Sequence, residues 1–249
     1  MKLNLSQVVA ATCLASLPVI ASAELSANIS LASNYKTRGQ DQDLRKGQLR
    51  PALQGGFDYS HSSGFYAGNW NSTVNFSTGA DGPTANLESD FYAGYKLSSG
   101  YLSWDFGAIR YQYTGASAAN TNELYVGLGI GPVVAKYYHT VSTDYFNAAG
   151  AAGGSGLKGK GTGYLNVSYA QEIMPALTLK ASVGYTSYSS DISAPNYVDY
   201  SIGAAYDLGD GFSVSGALVG ATRKNDYLGK ADGKSVNANT VVVMFTKAM

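Results

Sequence analysis

Nine ionisable residues share one kind of position in this sequence. Asp58, Glu88, Asp90, Asp105, Glu123 and Asp199, with Lys96, Lys136 and Lys180, each stand on the polar side of a segment in which apolar and polar residues alternate. The chemistry such a set offers is ion sorting. Carboxylates fixed along a narrow passage favour cations, and amines favour anions. Six acids against three bases predict a weak preference for cations, or none. The competing reading is a ladder of charge pairs and bridging waters that fills a narrow interior.

Other chemistry is sparse. His61 falls in a short turn, and His139 falls near a segment end, close to Ser142 and Asp144. Hydrolysis by a serine needs a histidine held within hydrogen-bond reach of it. Neighbours along one extended segment do not make that arrangement, and no serine motif stands out. The chain is therefore read as non-enzymatic, with His139 an aromatic-belt or interior residue. No phosphate-cradling loop, nucleotide fingerprint or metal cluster is visible, so no cofactor, metal or nucleic acid is expected.

The start of the chain indicates export. Lys2 precedes a mostly apolar stretch from Leu3 to Ile20, and Ala21-Ser22-Ala23 has the form of a cleavage site. The expected division is a signal peptide over 1–23 and one barrel domain over 24–249. Cys13, the single cysteine, is lost with the signal, and acylation there fits its neighbours badly. Of 17 basic and 17 acidic residues, only Lys2 is removed, which leaves a net charge of −1. Charged residues are 14% of the chain, against about 25% in soluble domains. Low charge with 30 Gly and 20 Tyr suits strands with crowded backbones and aromatic girdles. No apolar run of about 18 residues follows the signal, so no membrane helix is expected.

The elements that must position the nine residues are strands. Leu25, Ala27, Ile29 and Leu31 alternate with Ser26, Asn28 and Ser30; Leu124, Val126, Leu128 and Ile130 alternate with Glu123, Tyr125, Gly127 and Gly129. The same period of two recurs in about twelve segments. Tyr66, Trp70, Val74 and Phe76 are grouped on one apolar face, and the phase after Ile109 suggests a bulge. Trp70, Trp104 and the many Tyr are read as interfacial girdles. A hairpin across 97–100 would set Tyr92 opposite Asp105. Connections alternate between long (36–50, 77–86, 114–120, 142–161, 187–196, 222–238) and short (60–64, 97–100, 131–132, 172–176, 207–211). Long outer loops and tight inner turns predict an all-β chain, a transmembrane antiparallel up-and-down β-barrel of about 12 strands with both termini inside. A soluble sandwich has no reason to pair that alternation with charged faces in segment after segment. Lys36, Arg38, Arg45, Lys46, Arg50, Lys158, Lys160, Arg223, Lys224, Lys230 and Lys234 fall in the long loops. They are read as solvated, or as contacts for lipopolysaccharide phosphates or anions at the mouth.

Ala27-Asn28-Ile29-Ser30-Leu31-Ala32-Ser33-Asn34-Tyr35-Lys36-Thr37-Arg38-Gly39 resembles the opening of the TorF family of porin-like proteins. Pro51 to Tyr59, Gly64 to Gly68 and Asn120 to Gly127 carry the same resemblance. It implies a bacterial outer-membrane barrel that forms a pore, and it supplies no catalytic residue. The chain departs from the usual barrel ending by closing on Phe245-Thr246-Lys247-Ala248-Met249, so Phe245 would act as the terminal aromatic. The expected function is passive diffusion of small hydrophilic solutes. The alternative is a non-conducting structural or adhesive barrel acting through its loops. Expected partners are outer-membrane lipid, lipopolysaccharide and barrel-assembly machinery, with a monomer favoured over an oligomer.

Overall fold

The computed structural model describes residues 23–43, 50–77, 84–227 and 234–249. The predicted signal peptide, apart from Ala23, lies outside the described residues, as do Arg45, Lys46 and Lys230. Twelve strands close into one antiparallel barrel: β1 (Glu24–Ala32), β4 (Ala52–Ser60), β5 (Phe65–Ser77), β6 (Thr84–Ser99), β7 (Leu102–Thr114), β8 (Thr121–Ile130), β9 (Val133–Thr140), β10 (Gly163–Met174), β11 (Leu177–Ser187), β12 (Tyr197–Gly209), β13 (Phe212–Ala221) and β14 (Thr240–Ala248). Each pairs with its chain neighbours, and β1 pairs with both β4 and β14 to complete the ring. Closure satisfies the backbone groups that an open sheet would leave at its edges. A short ribbon, β2 (Lys36–Thr37) with β3 (Gln40–Asp41), lies in the first long connection.

The expected alternation is present and inverted relative to a soluble protein. On β8, Leu124, Val126 and Ile130 are exposed on the outer wall, while Thr121, Glu123 and Tyr125 are buried inside. Leu25, Phe57, Phe91, Val183, Ile202 and Val241 continue the apolar exterior around the ring. The alternation of long and short connections also holds, and it gives the barrel a loop end and a turn end.

Four local expectations are corrected. On β5, Tyr66, Trp70 and Val74 are buried inside, and the opposite parity carries Asn69 and Asn71 outward. The pairs Phe57↔Asn69 and Asn69↔Phe91 fix this phase, because both phenylalanines are exposed on the outer wall. The bulge belongs to β5, between Thr73 and Phe76. In contrast, β7 keeps unbroken register with β6 from Leu102 to Thr114, and Arg110 and Gln112 simply occupy outward positions. The turn between β6 and β7 is only Gly100-Tyr101, since Ser98 and Ser99 remain paired. Loop length sets hairpin register, so Lys96 faces Asp105 and Tyr92 faces Ile109.

The fourth correction concerns the aromatics. Trp104 does stand on the outer wall, stacked on Phe106 at 6.2 Å between centroids. Trp70 and many tyrosines fill the interior instead. Tyr35, Trp70, Val74, Tyr111 and Tyr113 form a buried cluster inside one side of the ring. Gly107 shows how the rings fit: it faces Tyr125 across the ladder, and a Cβ there would collide with the phenol. Tyr66↔Gly94 and Gly68↔Tyr92 repeat the pairing, which relates the abundance of Gly to that of Tyr.

Candidate functional site

The first long connection folds back into the barrel. Arg38 and Gly39 both adopt left-handed backbone, with φ of 49° and 75°. A side chain at Gly39 would strike Asp199 and Ala221 on the far wall, so the tight approach of this ribbon requires glycine. The turn aims Arg38 into the interior, where it is 9% exposed. Its guanidinium forks onto the Glu123 carboxylate, Nη2 to Oε2 at 2.6 Å and Nη1 to Oε1 at 3.0 Å. Nη1 also donates to the Tyr145 hydroxyl at 2.9 Å and Nη2 to Tyr111 at 3.3 Å. The Tyr164 ring lies 4.2 Å from Cζ. Such planar, bidentate pairing is the geometry that arginine supplies and lysine does not.

Ion pairs hold the ribbon itself. Asp41 takes Lys36 at 3.1 Å and Arg50 at 3.0 Å. Lys36 Nζ donates to the carbonyl of Val236 at 2.9 Å, and Gln40 Nε2 donates to Asn237 Oδ1 at 3.0 Å. Burial pushes the Lys36 amine below its usual range, against the pull of Asp41. The connection over 141–162 is organised by Asp144, whose carboxylate accepts backbone N–H groups from Tyr145, Ala149 and Ala151 at 2.7–2.9 Å. Tyr145, Tyr188, Tyr197 and Tyr227 then run ring to ring at 5.3–6.2 Å, joining three loops over the loop end.

Nearer the turn end lies a second polar tier. Lys136 Nζ meets Asp105 Oδ2 at 2.5 Å, and the Tyr66 hydroxyl donates to Asp105 Oδ1 at 2.5 Å. Lys96 Nζ sits 4.9 Å from the centre of the Tyr66 ring, and Tyr92 donates to Asp58 at 2.5 Å. At the level of the Arg38 tier, Glu88 is fully buried beside Tyr35 and Tyr113, and Oδ1 of Asp90 and Oδ2 of Asp199 are buried without a hydrogen-bond partner among the described residues. Tyr164 donates to the other Asp199 oxygen at 3.1 Å.

All nine predicted residues thus occupy the inner wall. Glu88, Asp90, Asp105, Glu123, Lys136 and Asp199 are buried, and Asp58, Lys96 and Lys180 are half-buried. The expectation that Lys36, Arg38 and Arg50 are solvated in the outer loops, or meet lipopolysaccharide phosphates or anions there, is corrected by their burial and ion pairing. The sequence carries no alternation over 35–41, where every residue after Tyr35 is polar or glycine; the Arg38-Gly39 pair is a weak turn signal in a long loop. The inner wall is uneven. Tyr66, Trp70, Tyr92, Tyr111 and Tyr125 make β5–β8 bulky, whereas Ser168, Ser182 and Ser201 pair in one row across β10–β12. His139 faces outward with its Nδ1 3.3 Å from the Tyr137 hydroxyl, and His61 bonds Ser63 in a turn. Among the described residues, no group of three His, Cys, Asp or Glu could hold a metal ion.

A family model described as "Bacterial protein of unknown function (Gcw_chp)" matches residues 19–249. No curated protein matches the chain. Solved barrels resemble it in fold. The NanC porin superposes with a TM-score of 0.54 at 10% identity, covering 90% of this chain and 98% of that one. The KdgM porin gives 0.52 at 9% identity, covering 90% and 96%. The COG4313 outer membrane channel from Pseudomonas putida F1 gives 0.50 at 8% identity, covering 94% and 97%.

Proposed function

We propose that this chain, which belongs to the Gcw_chp family of bacterial proteins of unknown function, is a narrow outer-membrane channel for small hydrophilic solutes. The observation that carries the reading is the inversion of the wall: an apolar exterior around an interior of fixed charges. A barrel of that kind is stable where hydrocarbon surrounds it, because every backbone group is paired within the ring. The resemblance to TorF proteins and the likeness in fold to porins agree with a pore. Export through a cleaved signal over 1–23, a monomeric 24–249 barrel domain and help from the assembly machinery complete the proposal, with no enzymatic role.

The solute path runs along the serine row of β10–β12, past Asp199 above and Lys180 below, since the facing wall is filled by rings. Glu123 pairs with Arg38 and Asp105 with Lys136, and over the nine wall residues and Arg38 together six acids face four bases. The balance favours cations weakly. One observation favours the alternative, a closed structural or adhesive barrel: the Arg38 ribbon occupies the loop-end half of the interior. Planar-bilayer recording separates the two. Discrete conductance steps support the channel; a silent barrel that is correctly inserted supports the alternative.

A further inference from the structure

We propose that the outer wall of β5–β8 carries a binding site for the phosphorylated headgroup and acyl chain of a lipopolysaccharide, centred on Arg110. The inference rests on placement in an outer membrane but not on conduction. Among the described strand residues, Arg110 and Lys247 are the cations turned outward. Lys247 lies at the turn end and donates to the carbonyl of Asp210. Arg110 lies eight residues beyond Leu102 on β7. At about 3.3 Å per residue and a tilt of about 40°, that is about 20 Å above the turns, in the outer third of the wall.

The setting of Arg110 leaves its charge unanswered. Nε donates to Gln112 Oε1 at 3.3 Å and Nη1 to Asn122 Oδ1 at 3.2 Å. Neither acceptor is charged, and no carboxylate within ion-pair distance is found among the described residues. The amides thus brace the guanidinium while its other N–H groups keep no acceptor there. The nearby outward polar groups satisfy one another: Asn71 Nδ2 donates to Asn69 Oδ1 at 2.5 Å, and Ser89 Oγ donates to Asn71 Oδ1 at 2.7 Å. A cation facing lipid is costly unless a counter-charge meets it, and a guanidinium fork matches phosphate in shape and sign. Directly below, Ala67, Ala93 and Ala108 pair in one outward row. Phe91 stands above that row and Tyr95 and Phe106 below it, so the alanines form a trough into which a hydrocarbon chain fits.

The test uses the full chain refolded in detergent and titrated with lipid A, read by native mass spectrometry. The wild type should hold bisphosphorylated lipid A, and Arg110→Ala should weaken it by at least about tenfold, the loss expected for charge-assisted hydrogen bonds. Arg110→Lys should fall between. Single-channel conductance should be unchanged in both variants, since Arg110 is outside the interior; this separates failure of the lipid site from failure of the channel reading. Equal binding of dephosphorylated lipid A, or equal affinity in wild type and Arg110→Ala, would overturn the proposal. So would a wild-type oligomer that Arg110→Ala dissociates, because the patch would then be a contact between copies.

Discussion

Arg38 shows how much a single residue's role depends on a partner far along the chain. Its guanidinium meets Glu123, 85 positions away, inside a barrel that must form before the pair exists. The type of residue was legible in the sequence, and so was its place in a long loop. Its destination was not, because loop composition does not record which wall the loop will reach. Arg38→Ala should leave the Glu123 carboxylate buried and unpaired, at a cost of about 3–5 kcal/mol. Urea unfolding in lipid vesicles measures that loss. The double variant Arg38→Met with Glu123→Leu should recover most of it, since an apolar pair carries no desolvation penalty. Both variants should also raise single-channel conductance, because each clears the Arg38 guanidinium from the interior while Lys36 and Gln40 still hold the ribbon. An unaltered conductance in both would mean that solutes pass elsewhere.

At the scale of elements, the period of two was legible wherever lipid-facing positions are aliphatic, as on β8, β11 and β12. It misled on β5, where Trp70 and Tyr66 are apolar but belong inside, and Asn69 and Asn71 are polar but belong outside. Side-chain polarity marks the face only when each wall has one kind of occupant; here rings fill part of the interior and amides line part of the exterior. Register failed for a related reason. Serines at 98 and 99 read as turn residues, yet they stay in the ladder and move every facing pair by four positions. The phase assigned by the structure is open to direct check. Leu124→Arg, six residues above the turn end of β8 and exposed on the outer wall, places a guanidinium against lipid near the midplane and should cost about 2–4 kcal/mol, whereas Ser182→Arg, on the inner wall, should cost far less. In a background without Cys13, a thiol at Ser201 should react with a small charged methanethiosulfonate and reduce conductance. A thiol at Ile202 should have no such effect. Matching responses at 201 and 202 would mean that the inside–outside phase of β12 is wrong.

For the whole molecule, what the sequence conveyed best was architecture. Even strand number and two unlike ends followed from connection lengths, because short turns can join only neighbouring antiparallel strands. The distribution of interior charge was legible in its sign but not in its pairing. Over the nine wall residues and Arg38, leaving aside the mutually paired Lys36, Asp41 and Arg50 of the ribbon, six acids face four bases, and two of those acids are tied in the ion pairs with Arg38 and Lys136. If the barrel conducts, a KCl gradient should give a small reversal potential of cation-selective sign that grows as salt is lowered, since screening reaches only about 10 Å at 0.1 M. Replacing Asp90 and Asp199 by Asn should move the potential towards anions. A clear chloride preference in the wild type would overturn the cation-favouring reading of the inner wall.

The seam between β1 and β14 makes the barrel indifferent to where its chain starts. Ala27 and Met249 exchange backbone hydrogen bonds of 3.0 and 2.8 Å at the turn end, so the two ends meet where every other hairpin simply turns. A linker of a few residues from 249 back to 24 would add one more such turn, and a cut at Gly131-Pro132 would supply fresh ends on the same side. The permuted polypeptide should insert and close as the same ring, its linear order being one of several equivalent ways to read a circle.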